Sequence, residues 1–287
     1  MTIDEQQRTG VSVLGTEHLE AAVRLLSSQP VENVFVASRV RSGGLDPFLL
    51  GCQVWGYWED GELVSMLHAG SNFVPINATP AALDAFIEYA GPVRKCSSIV
   101  GPAPVAMSLW RGLCQRWGGS WVDAREVRAR QPLMTIDTDP PIAGDPRVRR
   151  IGLEHWDAYV EAAIAMYTEE VGVSPVLGNN STHYRYYVRQ LIESGRSYGW
   201  VNEHGQVLFK SDIGSAARQV CQVQGVWLHP ELRGTGIAAG LMAQVVILAR
   251  QEFPVVSLYV NDFNERARAT YRRCGFDEVG EFATILY

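Results

Sequence analysis

Lysine is almost missing from this chain: only Lys95 and Lys210 stand among its 25 basic residues. A triphosphate-binding loop, whose lysine follows the second glycine and reaches the outer phosphates, is therefore excluded. Long apolar runs are lacking too, and no segment approaches the roughly 18 residues that a membrane-spanning helix needs. The opening Met1–Arg8 is polar and acidic, without the apolar stretch of an export signal, so a cytoplasmic location is expected. Cysteine is scarce: five residues, widely spaced, with no Cys-x-x-Cys pair and no histidine at ligand spacing. Buried free thiols are expected from them, with no metal site. Positive charge is not in excess either; 31 acids outnumber the scattered bases for a net charge of −6, which argues against a nucleic-acid surface. With 287 residues, 47% of them hydrophobic and 20% charged, the chain can bury two cores of ordinary size.

What is present is a glycine-rich loop between two apolar patterns. Val220 to Leu228, broken by Gly225, reads as a short strand; Pro230 turns the chain into Arg233-Gly234-Thr235-Gly236, and a helical pattern runs from Ile237 to about Arg250. Gly234 and Gly236 can take backbone angles closed to other residues, so successive N–H groups can face one anion at a helix N-terminus. The expected ligand is a pyrophosphate. A dinucleotide fingerprint fits in part, because Gly234-x-Gly236-x-x-Ala239 is one of its versions and Asp262 follows the next strand, Val255 to Val260. In that fold, however, the first glycine follows its strand almost at once, whereas His229 to Arg233 intervene here. Coenzyme A is the third carrier of a pyrophosphate.

Downstream, Ser257-Leu-Tyr-Val260 precedes Asn264-Glu-Arg-Ala267, Tyr271 and Gly275-Phe276. A strand, an Asn-x-x-Ala helix start, a tyrosine four residues beyond the alanine, and Gly-Phe four and five residues beyond the tyrosine together resemble the GNAT family of N-acetyltransferases. The resemblance covers about residues 148–287 and implies acetyl-CoA as co-substrate, with no metal. It implies that Arg233, Gly234, Thr235, Gly236, Ile237, Ala238 and Ala239 hold the pyrophosphate. It assigns the pantetheine arm to the main chain of Val226, Trp227 and Leu228 and to the side chain of Asn264, which also suits a helix cap. Tyr271 is then the general acid for the departing thiolate. Proton transfer from a group of pKa about 10 to one of about 8.5 is uphill as a full step but useful as a hydrogen bond in the transition state.

The general base is less evident. Family members often place a glutamate six residues before the last coenzyme-pairing strand position, and counting back from Leu228 gives Gln222, whose amide cannot accept a proton. Glu169, Glu170, His183, Glu203 and Asp212 are the alternatives. Glu169 and Glu170 lie in Tyr167-Thr-Glu-Glu-Val-Gly-Val-Ser-Pro175, where family members form the acceptor wall. The next helical pattern, Thr182 to Glu193, is expected to pack Tyr184, Tyr187 and Leu191 and to turn His183, Arg185 and Tyr186 toward an acceptor. Glu169, Glu170 and Tyr186 are thus the expected substrate contacts.

The front half looks like a worn copy of the back half. Leu14 to Val23 parallels Ile151 to Val160 at an offset of 137, and Gly56 to Val64 resembles Gly199 to Val207, each an apolar strand, a turn and another strand. Ser97 to Val100 followed by Leu109 to Gly118 echoes Ser257 to Val260 followed by Thr270 to Gly275. The intervening Ser71 to Pro80 has no Arg-Gly-x-Gly. An α/β fold is expected, with two GNAT-like domains in tandem, each a mixed, mostly antiparallel sheet flanked by helices. Residues 1–136 form a degenerate domain without the pyrophosphate loop, 137–147 a proline-rich linker, and 148–287 the catalytic domain.

The implied reaction is acetyl transfer to a primary amine, on a small molecule or a protein, by direct attack. An acyl-CoA sensor whose catalytic side has decayed is the alternative from another class, and acetylation of a thiol-sugar precursor in the manner of mycothiol synthase is the alternative among enzymes. A nucleic acid or membrane partner is not expected; monomer and homodimer both remain open.

Overall fold

The computed structural model describes residues 9–176 and 181–287. Met1–Arg8, the polar opening used above to infer location, lies outside the described residues. In chain order the elements are β1 (Gly10–Val13), α1 (Leu19–Ser28), α2 (Val34–Gly43), α3 (Pro47–Leu50), β2 (Gln53–Glu59), β3 (Glu62–Ala69), β4 (Asn72–Ile76), α4 (Pro80–Ala90), β5 (Ser98–Pro102), α5 (Ala103–Trp117) and β6 (Glu126–Ile136). There follow β7 (Arg149–Arg150), α6 (Trp156–Val171), α7 (Ser181–Glu193), β8 (Ser197–Val201), β9 (Val207–Ala217), β10 (Val220–Leu228), α8 (Ala238–Arg250), β11 (Val255–Tyr259), α9 (Glu265–Arg273) and β12 (Asp277–Leu286). No described helix is long and apolar enough to cross a membrane.

Two compact units form, and they interleave along the chain. The first takes residues up to Leu133 together with Tyr259–Phe263 and Glu278–Tyr287; the second takes Met134–Leu258 and Asn264–Asp277. In the first, the strand order is β1-β2-β3-β4-β5-β12-β6, so the last strand of the chain runs antiparallel beside β5, with Ala283 facing Gly101 and Ile285 facing Ile99. β4 and β5 are parallel, as the crossover through α4 requires, and the other assigned pairs are antiparallel. Its apolar core gathers Phe73, Phe86, Leu109, Leu113 and Trp121 around Ala283 and Ile285.

The second unit orders its strands β11-β10-β9-β8-β7. Only β10 and β11 run parallel, joined through α8; β8, β9 and β10 are successive antiparallel hairpin strands, and β7 pairs antiparallel with β8 across the α6–α7 insertion. Each unit is thus a mixed, mostly antiparallel sheet flanked by helices. α8 is the central helix: Leu241, Met242, Ala243, Val245, Val246 and Ala249 are all fully buried, because the helix is apolar around most of its circumference. Tyr159, Val160 and Ala163 of α6 and Val188 and Ile192 of α7 form the other face with Trp227.

The internal repeat is visible in detail. A 3-10 turn over Thr16–His18 leads into α1, and one over Leu153–His155 leads into α6, the same offset of 137. One difference bears on chemistry. The N-terminus of α4 is closed by Thr79, whose hydroxyl accepts from Ala82 N–H at 3.2 Å, with Pro80 in the first turn. α8, its counterpart, has Ile237 at the cap position and no side-chain cap. All five cysteines are free thiols; Cys96, Cys221 and Cys274 are buried, whereas Cys52 and Cys114 are only half-buried, which corrects the expectation that all five are enclosed.

Candidate active site

Val226, Trp227 and Leu228 lie on the last stretch of β10. That strand is paired with β11 only over Val220, Cys221 and Gln222. Beyond Gln222 the two strands have no register partners, so the main chain of β10 on that side is left without a neighbouring strand. On the other side the register with β9 slips between Gln224 and Trp227, where Gly225 and Val226 together oppose one residue, Ser211. Gly225 stands at φ +61°, a conformation glycine takes without steric penalty. The strand therefore carries a bulge at the point where its free edge begins.

The loop that follows is short and ordered by its own backbone. A 3-10 turn over Pro230–Leu232 is closed by Leu232 N–H to His229 C=O, and the Thr235 hydroxyl donates to Leu232 C=O at 2.7 Å. Gly234 (φ +79°) and Gly236 (φ +84°) reverse the chain into α8. Nothing lies within 4 Å of where a Cβ would stand at either glycine, so both face open space. The first N–H groups of α8 carry the partial positive charge of a helix start and have no side-chain acceptor. An open cavity of about 580 Å³ adjoins Gly236, Ile237, Ala239, Gly240 and Arg273 and is also lined by the 142–147 segment. Asp145 N–H donates to Gly240 C=O, tying that segment to the helix.

Arg233 does not stand free. Its Nε donates to Leu228 C=O at 2.9 Å and its Nη2 to Glu169 Oε2 at 2.8 Å, while Glu169 Oε1 accepts from the Trp227 indole at 3.2 Å. Glu169 thus braces the junction of strand and loop. Asn264 caps α9, its Oδ1 accepting from Ala267 N–H at 3.1 Å, which leaves its amide nitrogen for another partner.

Tyr271, on α9, is 8% exposed, packs edge-on to Phe276, and has no hydrogen-bond partner for its hydroxyl among the described residues. Burial pushes its pKa well above the ordinary tyrosine value, and the negative charge of Glu170 pushes it further the same way. The hydroxyl keeps its proton across the physiological range. Glu170 acts likewise on Tyr184, whose pKa burial also raises.

A second cavity, of about 390 Å³, lies against the end of α6 and the start of α7. Its walls include Tyr167, Pro175, His183, Tyr184 and Tyr187. Tyr167 and Tyr184 meet edge to face at 5.5 Å, and Gln224 of β10 is hydrogen-bonded to the Tyr187 hydroxyl. Tyr186 is 62% exposed and takes no part in that wall. Residues 183, 184 and 187 share a helix face through their i, i+3 and i+4 spacing, and Tyr186 projects about 100° away from Tyr187. Tyr184 packs against the core as expected and, with Tyr187, also lines the cavity.

The other base candidates separate cleanly. Glu203 is on the exposed β8–β9 turn, held by Asn202 and Gln206. Asp212 is buried and saturated: Lys210 Nζ donates at 2.6 Å, the Tyr159 hydroxyl at 2.8 Å and the Ser197 hydroxyl at 2.7 Å. Gln222 is buried on β10 beside Ser215 and Ser257. Lys210 was not singled out by sequence reasoning; its only signal there is a charged Lys-x-Asp pair inside an apolar strand.

Residues 174–276 match the model of the acetyltransferase (GNAT) family, and residues 52–159 match a domain of unknown function, DUF4081. No curated protein matches the chain in sequence. Among solved structures, a tandem GNAT protein from the clavulanic acid biosynthesis pathway is 14% identical, with 96% of this chain and 98% of that one covered and a TM-score of 0.58. A GCN5-related N-acetyltransferase from Sphaerobacter thermophilus is 16% identical over 96% and 94%, with a TM-score of 0.58. A GNAT-family acetyltransferase from Colwellia psychrerythraea is 12% identical over 96% and 99%, with a TM-score of 0.56. At these identities the likeness is one of fold. Residues 174–276 carry the match to the acetyltransferase (GNAT) family, in a chain whose fold is similar to that of tandem GNAT proteins.

Proposed function

We propose that the chain is an acetyl-CoA-dependent N-acetyltransferase that acts through residues 148–287 on a primary amine. One observation carries the reading: an uncapped helix start preceded by two positive-φ glycines, at the end of a strand whose edge is open beyond Gln222. Arg233 to Ala239 take the pyrophosphate, with the first N–H groups of α8 facing it. Val226, Trp227 and Leu228 pair their main chain with the amides of the pantetheine arm, and the Asn264 amide adds a donor. The amine nitrogen attacks the thioester carbonyl, the C–S bond breaks, and the Tyr271 hydroxyl donates to the departing sulfur.

The aromatic cavity beside α7 is the acceptor's place in this reading. Glu170 is the favoured proton acceptor, because it ends α6 beside the cavity's Tyr167 and its charge is felt at both Tyr271 and Tyr184. The second reading, a coenzyme-binding sensor, draws on Gln222, which offers no base at the strand position. Calorimetric titration of the full chain with acetyl-CoA and with NADPH, followed by thiol release over a panel of amines including amino sugars, separates them. Binding with acceptor-dependent release supports the transferase and names its substrate class. Binding without release on any amine supports the sensor, and NADPH binding alone refutes both.

A further inference from the structure

Lys210 is one of two lysines in the chain and has no solvent exposure. Its ammonium donates to Asp212 Oδ2 at 2.6 Å and to the Gly225 carbonyl at 2.9 Å, and lies 5.3 Å from the Tyr159 ring centre. Asp212 Oδ1 is occupied by the Tyr159 and Ser197 hydroxyls, which draw the carboxylate's charge away from the ammonium. Buried ion pairs are costly to desolvate, and apolar replacements of similar volume are often as stable or more so, so fold stability is a weak reason for this one. Its position is specific. The carbonyl it grips belongs to the bulge of β10, and a Cβ added at Gly225 would stand 3.0 Å from Nζ, so glycine and lysine occupy complementary space.

We infer that Lys210 is a positioning residue for acyl transfer: through the Gly225 carbonyl it fixes and polarises the Gly225–Val226 peptide, whose Val226 N–H then binds the thioester oxygen. The inference rests on the proposed transferase reading. The physical chain is short. An ammonium on a carbonyl oxygen strengthens the resonance form of the peptide that places positive charge on nitrogen, and the N–H becomes a better donor. The effect is large here because the pair is shielded from water. Val226 lies in the bulge and has no register partner on β9 or on β11. A preorganised donor of this kind stabilises the charge that grows on the carbonyl oxygen as the amine attacks. No proton leaves Lys210 and no covalent bond forms to it; the charge remains fixed throughout.

The test uses full-length protein and acetyl-CoA labelled with carbon-13 at the thioester carbonyl. Bound to the natural protein, the carbonyl resonance is expected downfield of the free coenzyme. In Lys210→Met/Asp212→Asn, which removes both charges and so leaves none buried alone, the resonance returns toward the free position. Affinity for acetyl-CoA changes less than about threefold, and kcat falls about ten- to a hundredfold with the acceptor KM unmoved, somewhat less than the effect of deleting an oxyanion donor outright. A second pair, Lys210→Gln/Asp212→Asn, keeps a neutral donor on Gly225 and covers the case in which the methionine variant does not fold; an intermediate shift is expected. An unshifted resonance in the natural protein, or an unchanged shift and kcat in a folded double variant, overturns the role of Lys210 while the transferase stands. Failure of the natural protein to bind acetyl-CoA removes the transferase itself.

Discussion

Alanine at Gly236 tests the loop without touching a side chain that could bind anything. The residue stands at φ +84° and no atom lies within 4 Å of the added methyl, so the substitution meets no clash and its cost is one of backbone conformation alone. For an L residue held in the left-handed region that cost is about 1–2 kcal/mol. If the free loop keeps its shape, the whole of it appears as lost fold stability. If the free loop relaxes, the cost is met on binding, and acetyl-CoA affinity falls by the equivalent factor of about 5–30. The two losses sum to the same total, which calorimetry and thermal melting measure together. Gly205→Ala is the control: it has φ +78°, equally open space, and sits on the β8–β9 turn. It should lose stability to a similar degree and leave affinity intact. The reasoning fails if Gly236→Ala costs neither stability nor affinity, or if Gly205→Ala weakens coenzyme binding as much.

Tyr271→Phe should spare acetyl-CoA binding and lower kcat by about 10²–10⁴, the range for general acid catalysis, and a parallel loss of binding would return Tyr271 to a packing role. Gln222→Glu places a carboxyl in a buried position, where desolvation raises its pKa; activity should rise, and the acidic limb of the pH–rate profile should move to lower pH. An unchanged profile would mean that the natural base already suffices. Asp212→Ala leaves Lys210 buried without its partner and should cost about 3–5 kcal/mol in urea unfolding, whereas a surface pair would cost well under 1. Burial pushes the thiols of Cys221 and Cys274 up to about 12. The unfolded chain releases these protons near pH 8.5 and the folded chain holds them, so this contribution is fully present below that pH and melting temperature should fall as pH rises from about 8.5 toward 12. A flat alkaline melting curve would refute it.

What could be read in advance was chemistry encoded within a few residues. The bounds of β10, the glycine reversal before α8 and the Asn264 cap follow from local rules of strand pattern, left-handed glycine and side-chain capping. What could not be read depends on partners distant in sequence. That β12 completes the sheet of the first unit is a matter of register between residues about 180 apart, which no local pattern specifies. That Tyr187 and not Tyr186 lines the cavity beside α7 depends on the phase of a short amphipathic stretch, in which one residue rotates the face by about 100°. Lys210 escaped notice because a buried ammonium is acceptable only when three or four groups from other strands and helices converge on it.

The repeat gives the comparison its force. Both units cross from one strand to a parallel neighbour through a helix, α4 or α8, and a helix start is always a latent anion site because its first N–H groups lack intrahelical acceptors. In α4 that capacity is used internally, by the Thr79 hydroxyl and by Pro80, which has no N–H to offer. In α8 it is left open, and two glycines keep side chains out of the space in front of it. Converting Thr79 to glycine should therefore destabilise the first unit by a few tenths of a kcal/mol without creating a coenzyme site, since β4 is followed by no Arg-Gly-x-Gly to shape the approach. Serine at Ile237 is the reciprocal change: with its ψ turned from −21° toward the 162° of Thr79, its hydroxyl can accept from the first turn of α8 in competition with the pyrophosphate. Ile237→Ser is expected to leave the melting temperature unchanged or raised and to weaken acetyl-CoA measurably by calorimetry. If it binds acetyl-CoA as tightly as the natural chain, the free helix start is not what holds the coenzyme.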